Sequence, residues 1–229
     1  MTNMYPETKT WNPFVGCRFG CIYCRPSFQQ QLKRWAKNNC ELCYNYVPHT
    51  HPERLRRIPS ADIIFVCGDG DIAFCPTDFL VRVIAAIKQH NIYAKKSKKF
   101  YFQSKDPRVF DKIVGLLPPN AYILTTLETN RDTGYEKISK APKPSDRFKY
   151  FLETPYPKKI VTIEPIMDFD LDILVDWIKQ IKPEAVYIGY NSRPKKVRLP
   201  EPPLEKTKTL IKELEKFTVV IPKILREKI

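Results

Sequence analysis

No stretch of this 229-residue chain is apolar for long enough to cross a bilayer. Its longest apolar runs, such as Ile63 to Cys67, fall far short of the roughly 20 residues that a spanning helix needs. The opening, MTNMYPETKTWNP, lacks the basic-then-apolar pattern and small-residue cleavage site of a secretory leader. A cytoplasmic protein with no membrane partner is therefore expected. Repeats and low-complexity tracts are missing too, which leaves an ordinary globular chain. With 43% hydrophobic and 12% aromatic residues, it has enough apolar surface for one core. A single domain over 1–229 is the simplest expectation.

Cysteine is absent beyond Cys75. All seven cysteines fall within the first 75 residues, and Cys17, Cys21 and Cys24 fall within eight positions. An odd, crowded set cannot staple distant parts of a chain, so metal binding in a reducing compartment is the better reading than a disulfide framework. Acidic residues are also in deficit. Lys and Arg number 39 against 25 Asp and Glu, a net charge of +14. A field of that size attracts polyanions and makes nucleic acid, anionic cofactors or acidic proteins the natural partners. The lysine-rich surfaces of heat-adapted proteins are the alternative, but those balance Lys with Glu. Three basic clusters stand out: Arg54 to Arg57, Lys95 to Lys99 and Arg193 to Lys196. Tyr44 and Tyr46 lie close enough to the first to suggest stacking on bases.

From Asp62 onward, strand and helix patterns alternate. Strand candidates are Ile63–Cys67, Phe100–Gln103, Ala121–Leu127, Ile160–Ile163, Ala185–Tyr190 and Phe217–Ile221, with a first strand near Thr10–Val15. Helical patterns follow Pro76–Thr77, Asp106–Pro107 and Asp170. Such alternation makes right-handed βα units and a parallel sheet. About six units are too few for a closed eight-fold barrel. An incomplete barrel and a doubly wound sheet fit the pattern equally, and in both the ligands gather beyond the C-terminal ends of the strands. Asn38 to Pro59 interrupts the rhythm and reads as an insertion. Ser192 to Pro203 reads as an exposed, Pro-rich basic loop.

The spacing Cys17-x₃-Cys21-x₂-Cys24 is expected by chance roughly 0.005 times in such a chain. Three close thiolates suit an iron–sulfur cluster. Three rather than four leaves one iron open to a small molecule, as in other open metal sites. The alternative is a zinc site or a ferredoxin-type cluster whose fourth ligand is Cys40, Cys43, Cys67 or Cys75.

This triplet, with Tyr23 just before its last cysteine and a short strand before its first, resembles the signature of the radical S-adenosylmethionine (AdoMet) superfamily. Thr10-Trp-Asn-Pro13, Thr126-Leu-Glu-Thr-Asn130 and Thr162-Ile-Glu-Pro165 are similar to runs in a branch found in archaea, bacteria and phages, distantly similar to spore photoproduct lyase. The resemblance covers nearly the whole chain. It implies an incomplete (β/α)6 TIM-like barrel of the α/β class and a [4Fe–4S] cluster on Cys17, Cys21 and Cys24. It further implies that AdoMet is bound to the open iron and cleaved reductively to a 5′-deoxyadenosyl radical. The electron comes from a donor such as ferredoxin or flavodoxin.

The strand ends supply candidates for the AdoMet pocket. In Gly68-Asp69-Gly70-Asp71, glycines let backbone approach a ligand and carboxylates accept from an ammonium group. The superfamily often carries Gly-Gly-Glu there, so two Asp compete for one role; a plain βα turn is the alternative. Alternation places Thr126, Glu128 and Asn130 on one face, suited to ribose hydroxyls or the AdoMet carboxylate, to which Arg131 offers a cation. Glu164 ends another strand, and Gln103, Ser104 and Lys105 a third. Within the insertion, Cys40-x₂-Cys43 alone is weak, but His49 and His51 follow within eight residues of Cys43. Two thiolates and two imidazoles suit tetrahedral zinc; a loop with buried cysteines and an exposed His-Thr-His is the alternative. The leading reading is thus a radical AdoMet enzyme acting on an unidentified substrate, for which a nucleic acid or nucleotide is one candidate class. Its rival is a non-catalytic iron–sulfur or zinc protein that binds nucleic acid.

Overall fold

A computed structural model describes residues 4–227. The chain divides into two compact units. The first takes the chain up to Arg18, Gln31–Ser104 and Arg108–Ile123; the second takes Phe19–Gln30, Lys105–Pro107 and the chain from Leu124 onward. The elements are, in order, β1 (Lys9–Trp11), β2 (Phe14–Val15), α1 (Gln30–Ala36), α2 (Glu41–Tyr44), β3 (His49–Thr50), β4 (Ile63–Val66), α3 (Thr77–Tyr93), β5 (Lys99–Gln103) and β6 (Ala121–Thr126). Then follow α4 (Pro144–Glu153), β7 (Lys159–Ile163), α5 (Leu171–Ile181), β8 (Ala185–Ile188), α6 (Leu204–Glu215) and β9 (Val219–Pro222). The main sheet has seven strands in the order β1-β4-β5-β6-β7-β8-β9, so each new strand is laid beside the last. This is an α/β fold of the incomplete TIM-like barrel type.

In the first unit β1, β4 and β5 are parallel, with Trp11 beside Val66 and Val66 beside Phe102. The α3 stripe predicted from the sequence is the buried one: Phe79, Leu80, Val83, Ile84 and Ile87 face the core. The expected first strand, Thr10–Val15, is split. Pro13 has no N–H to give to a ladder, and beyond it β2 leaves the main sheet to pair antiparallel with β3, Val15 opposite His49. The helix expected after Pro107 is also broken. It forms two short 3₁₀ turns, Pro107–Lys112 and Val114–Leu116, because Gly115 and Pro118-Pro119 deny it length. Val109, Phe110 and Ile113 are buried all the same.

In the second unit β7, β8 and β9 are parallel, and every residue of β7 is buried, as expected of a strand covered on both faces. Its helices bury stripes at helical spacing: Leu174, Val175, Ile178 and Ile181 on α5, and Thr207, Leu210, Ile211 and Leu214 on α6. Phe148 of α4 stacks on Trp177 of α5, ring centres 4.5 Å apart. No helix among the described residues is long and apolar enough to cross a membrane.

Gly16, which follows β2, shows how tightly the first unit is closed. Its φ is +102°, and a Cβ there would lie 2.5 Å from the backbone of Val47 and of Pro48. Both the angle and the space demand glycine. Gly16→Ala is expected to lower stability by more than about 1 kcal/mol, read as a fall in the denaturant midpoint at unchanged slope.

Candidate active site

In the first unit, the residue before Cys17 is fixed by backbone alone. Gly16 N–H donates to the Asp69 carbonyl at 3.0 Å, and the Gly16 carbonyl accepts from Asp71 N–H at 3.2 Å. Gly70 lies so close that a Cβ on it would sit 2.7 Å from the Gly16 oxygen. The turn Gly68–Asp71 is therefore next to the start of the cysteine motif, and Gly68 and Gly70 are required by packing before any ligand is considered. The two aspartates differ. Asp71 is buried, and its Oδ1 accepts from Ala73 N–H at 3.0 Å and from the Ser104 hydroxyl at 2.6 Å, so it caps the following turn. Asp69 is held by its backbone, its N–H donating to Asn12 Oδ1 at 2.9 Å. Burial raises its carboxyl to about 6 against the pull of Arg54 and Asn12.

The other two motif cysteines belong to the second unit. Cys21 Sγ lies 3.1 Å from the Ser139 hydroxyl and 3.7 Å from the Lys105 ammonium. Cys24 Sγ accepts from Gln29 Nε2 at 3.5 Å and leads into a π-helical turn, Arg25–Gln29, that continues as α1. Between them Tyr23 enters a buried charge cluster. Its phenol donates to Glu128 Oε1 at 2.6 Å, where Lys105 also donates in a very short contact, and Tyr135 donates to the same oxygen at 3.2 Å. Arg147 Nη1 stands 2.7 Å from Glu128 Oε2 and donates to the Thr126 carbonyl. The Arg147 guanidinium lies over the Tyr135 ring and Lys105 over the Tyr23 ring.

Glu128 and Arg147 are both wholly inaccessible to solvent. Burial alone would raise the Glu128 carboxyl; Arg147 and Lys105 overcome it and hold the group down at about 2. Against the burial that opposes it, Lys105 is held in its charged form by Cys21 and then Glu128, and Arg147 by Glu128. Burial and the neighbouring Glu128 push the Tyr23 phenol well up, so it stays a donor. Arg147 Nε and Nη2 have no hydrogen-bond acceptor, so its retention rests on charge.

The other sequence candidates do not converge on Glu128. The Asn130 side chain bridges both backbone groups of Asp170, at 3.0 and 2.9 Å. Arg131 pairs with Asp168 and Asp170, each at 2.6 Å. Glu164 pairs with Lys223. Tyr135, Ser139 and Arg147 were not singled out by the sequence. Only Arg147 leaves a signal there: it occupies the apolar phase of α4 between Pro144 and Phe151, where an unpaired cation would not be tolerated.

Cys40, Cys43, His49 and His51 form a group in the first unit, their four donor atoms all within 4.8 Å of one another. It is a Cys/His set able to hold a metal ion.

Removing one partner of the Glu128 cluster leaves a buried charge uncompensated. Glu128→Ala or Arg147→Met alone is expected to cost about 3–5 kcal/mol, and both together much less than the sum, measured by chemical unfolding. Because the folded carboxyl is depressed, its stabilisation is present above the unfolded value near 4.5 and is lost as pH falls through about 2. Acid unfolding of Glu128→Gln should lack that dependence.

Neither a family model nor a curated protein matches the sequence. Solved structures match the fold. Streptococcus suis SuiB bound to precursor peptide SuiA has a TM-score of 0.57 at 13% identity, over 96% of this chain and 49% of that one. A spore photoproduct lyase mutant with bound AdoMet and dinucleoside spore photoproduct gives 0.55 at 11% identity, over 91% of this chain and 61% of that one. HydG, a maturase of the [FeFe]-hydrogenase, gives 0.52 at 12% identity, over 94% and 52%. The chain thus spans only about half to three fifths of the length of its structural neighbours. What these three share with it, at 11–13% identity, is the fold: a partial barrel of parallel strands.

Proposed function

We propose that this protein is a radical AdoMet enzyme whose [4Fe–4S] cluster is held by Cys17, Cys21 and Cys24. One conjunction carries the reading: a Cys-x₃-Cys-x₂-Cys triplet on a chain with this fold. The donor set suits the group. None of the three cysteines is in a disulfide, and Lys105 beside Cys21 Sγ offsets the negative charge of thiolate ligation. Cys17, Cys21 and Cys24 would hold such a cluster, which would supply the electron for reductive cleavage of AdoMet.

The chain's own residues bind and orient. Asp69 is the carboxylate proposed for the AdoMet ammonium, since Asp71 already serves as a cap. Gly70 keeps that turn against Gly16, and Gly68 keeps it against Phe65 and Thr10. Thr126, Glu128, Asn130 and Glu164 stand at the ends of their strands and are proposed to frame the pocket, Glu128 indirectly through Tyr23. A ferredoxin or flavodoxin is the proposed electron donor; such carriers are acidic and complement a +14 chain. The substrate class proposed is nucleic acid or nucleotide, supported by the same charge and by the dinucleoside bound in one neighbour of like fold. For Cys40, Cys43, His49 and His51, zinc is the ion that the donors suit.

The rival, a non-catalytic iron–sulfur or zinc protein that binds nucleic acid, draws on the charge and on this second cysteine group. Anaerobic reconstitution with AdoMet and dithionite separates the two. Formation of 5′-deoxyadenosine, lost with its cluster absorbance in the triple Cys17→Ala, Cys21→Ala, Cys24→Ala variant, is the expected result. A cluster signal that survives in that variant sinks the assignment. Asp69→Asn should weaken AdoMet binding about 10- to 150-fold at unchanged iron content, by equilibrium dialysis. Nucleic acid should stimulate 5′-deoxyadenosine formation above the uncoupled level; if a small-molecule extract does so and no RNA or DNA does, the proposed substrate class fails.

A further inference from the structure

We infer that Cys40, Cys43, His49 and His51 bind one zinc ion as a closed structural knot, and that this knot braces the strand leading into Cys17. The ligand geometry comes first. Cys40 Sγ and Cys43 Sγ each lie 3.4 Å from His49 Nε2, and Cys43 Sγ lies 3.2 Å from His51 Nε2. With Zn–S near 2.3 Å and Zn–N near 2.0–2.1 Å, a tetrahedral ion sets such sulfur–nitrogen edges at about 3.5 Å. The two Nε2 atoms face each other at 2.8 Å, slightly closer than the roughly 3.3 Å that the same bond lengths give.

The tautomers then explain why a cation belongs between them. His49 Nδ1 lies 2.7 Å from the Val47 carbonyl, which only accepts, so that nitrogen carries the proton. His51 Nδ1 lies 2.8 Å from the Glu53 carboxylate, also an acceptor. In the neutral rings both Nε2 atoms therefore present lone pairs, to each other and to two sulfurs, with no proton of their own to share. A metal ion resolves that arrangement. The outer contacts are those of metal-binding imidazoles, each ring oriented by a carbonyl or carboxylate on its far nitrogen. Cys40 Sγ also accepts from Cys43 N–H at 3.4 Å, as a thiolate in a Cys-x₂-Cys turn does well. Four protein ligands leave no open position, so the site is structural rather than catalytic.

The location says what it braces. The segment around the ligands has little core of its own: Val15, Ala36 and Cys43, with Leu32 and Cys40 against them. So small a cluster needs a staple. From it, contacts run to the chain just before Cys17. His51 N–H donates to Pro13 O at 2.6 Å and Arg54 Nη1 to Asn12 O at 2.9 Å, while Trp11 Nε1 donates to Arg54 O at 3.0 Å. His49 pairs with Val15, and Val47 and Pro48 close on Gly16. This bracing role rests on the reading of Cys17 as a cluster ligand; the zinc site does not.

The test uses zinc and cobalt(II) on the full chain. Zinc analysis of the triple Cys17→Ala, Cys21→Ala, Cys24→Ala variant should find about one ion per chain, the occupancy of a structural site. Cobalt in its place should give tetrahedral thiolate–cobalt absorption. Cys43→Ala and His51→Ala should lose both, and Glu53→Ala should lower zinc affinity about 10- to 100-fold. His51→Cys, which keeps four ligands if the alanine variants do not fold, should retain the metal and strengthen the sulfur-to-cobalt band. An absent tetrahedral spectrum, or metal binding indifferent to these changes, overturns the zinc site. In the otherwise native chain, zinc loss should reduce the iron retained after reconstitution; full iron without zinc overturns the bracing role alone. Zinc without any iron in the native chain overturns the cluster reading instead.

Discussion

A carboxylate sealed from solvent is the constraint around which the second unit is built. Leaving Glu128 charged without partners would cost several kcal/mol, and the chain brings four side chains from four segments to meet it. Tyr23 comes from the cysteine motif, Lys105 from the segment after β5, Tyr135 from a short turn and Arg147 from α4. The end of β6, the motif loop and α4 are thereby tied to one point. The loop residue tied there sits between Cys21 and Cys24, so the two sulfurs are carried by a backbone whose central phenol is locked. Lys105 serves twice, neutralising Glu128 and standing against Cys21 Sγ. This is the preorganisation expected of residues that hold a ligand in a defined place.

Cys17 is positioned by different physics. The residue before it, Gly16, is wedged between Val47–Pro48 on one side and Gly70 on the other, backbone against backbone. Such a contact tolerates no side chain and has no slack, whereas a charge cluster can adjust its rotamers. The turn that presses on Gly16 carries Asp69, so the proposed AdoMet contact and the first cysteine share one rigid piece of chain. That sharing is why the same glycines read equally well as ligand-approach residues and as packing residues.

The sequence was most legible where one physical signal dominated. Periodicity located the buried stripes of α3 and α5, and βα alternation the parallel sheet, while leaving a partial barrel and a doubly wound strand order equally open. Local breakers were visible but undervalued: Pro13 splits the first strand, and Gly115 with Pro118-Pro119 reduces a helix to 3₁₀ turns. Alternation placed Thr126, Glu128 and Asn130 on one face, yet Glu128 goes to the charge cluster and Asn130 to the backbone of Asp170. Strand periodicity says which way a side chain leaves the backbone, not which partner it meets once the strand has ended. Ser139 and Tyr135 were invisible for a related reason. Their roles come from contacts with Cys21 and Glu128, and nothing local marks them.

The excess charge separates into two populations. Cations with internal work are paired: Arg131 with Asp168 and Asp170, Lys223 with Glu164, Arg226 with Glu201, Arg147 and Lys105 with Glu128. Arg54, counted in a basic cluster, belongs here too, because its guanidinium supports Asn12. Of the members that remain, Arg56, Arg57, Lys95, Lys99, Arg193, Lys195 and Lys196 are exposed, while Lys96 pairs with Asp62 and Lys98 donates to the Ala61 carbonyl. The pairs are not all one to one, Glu128 meeting two cations and Arg131 two carboxylates, and these seven exposed cations match half of the net +14. Charges so placed act over about a Debye length, roughly 8 Å at physiological salt. A field of that reach draws in anions in general and selects none of them by shape.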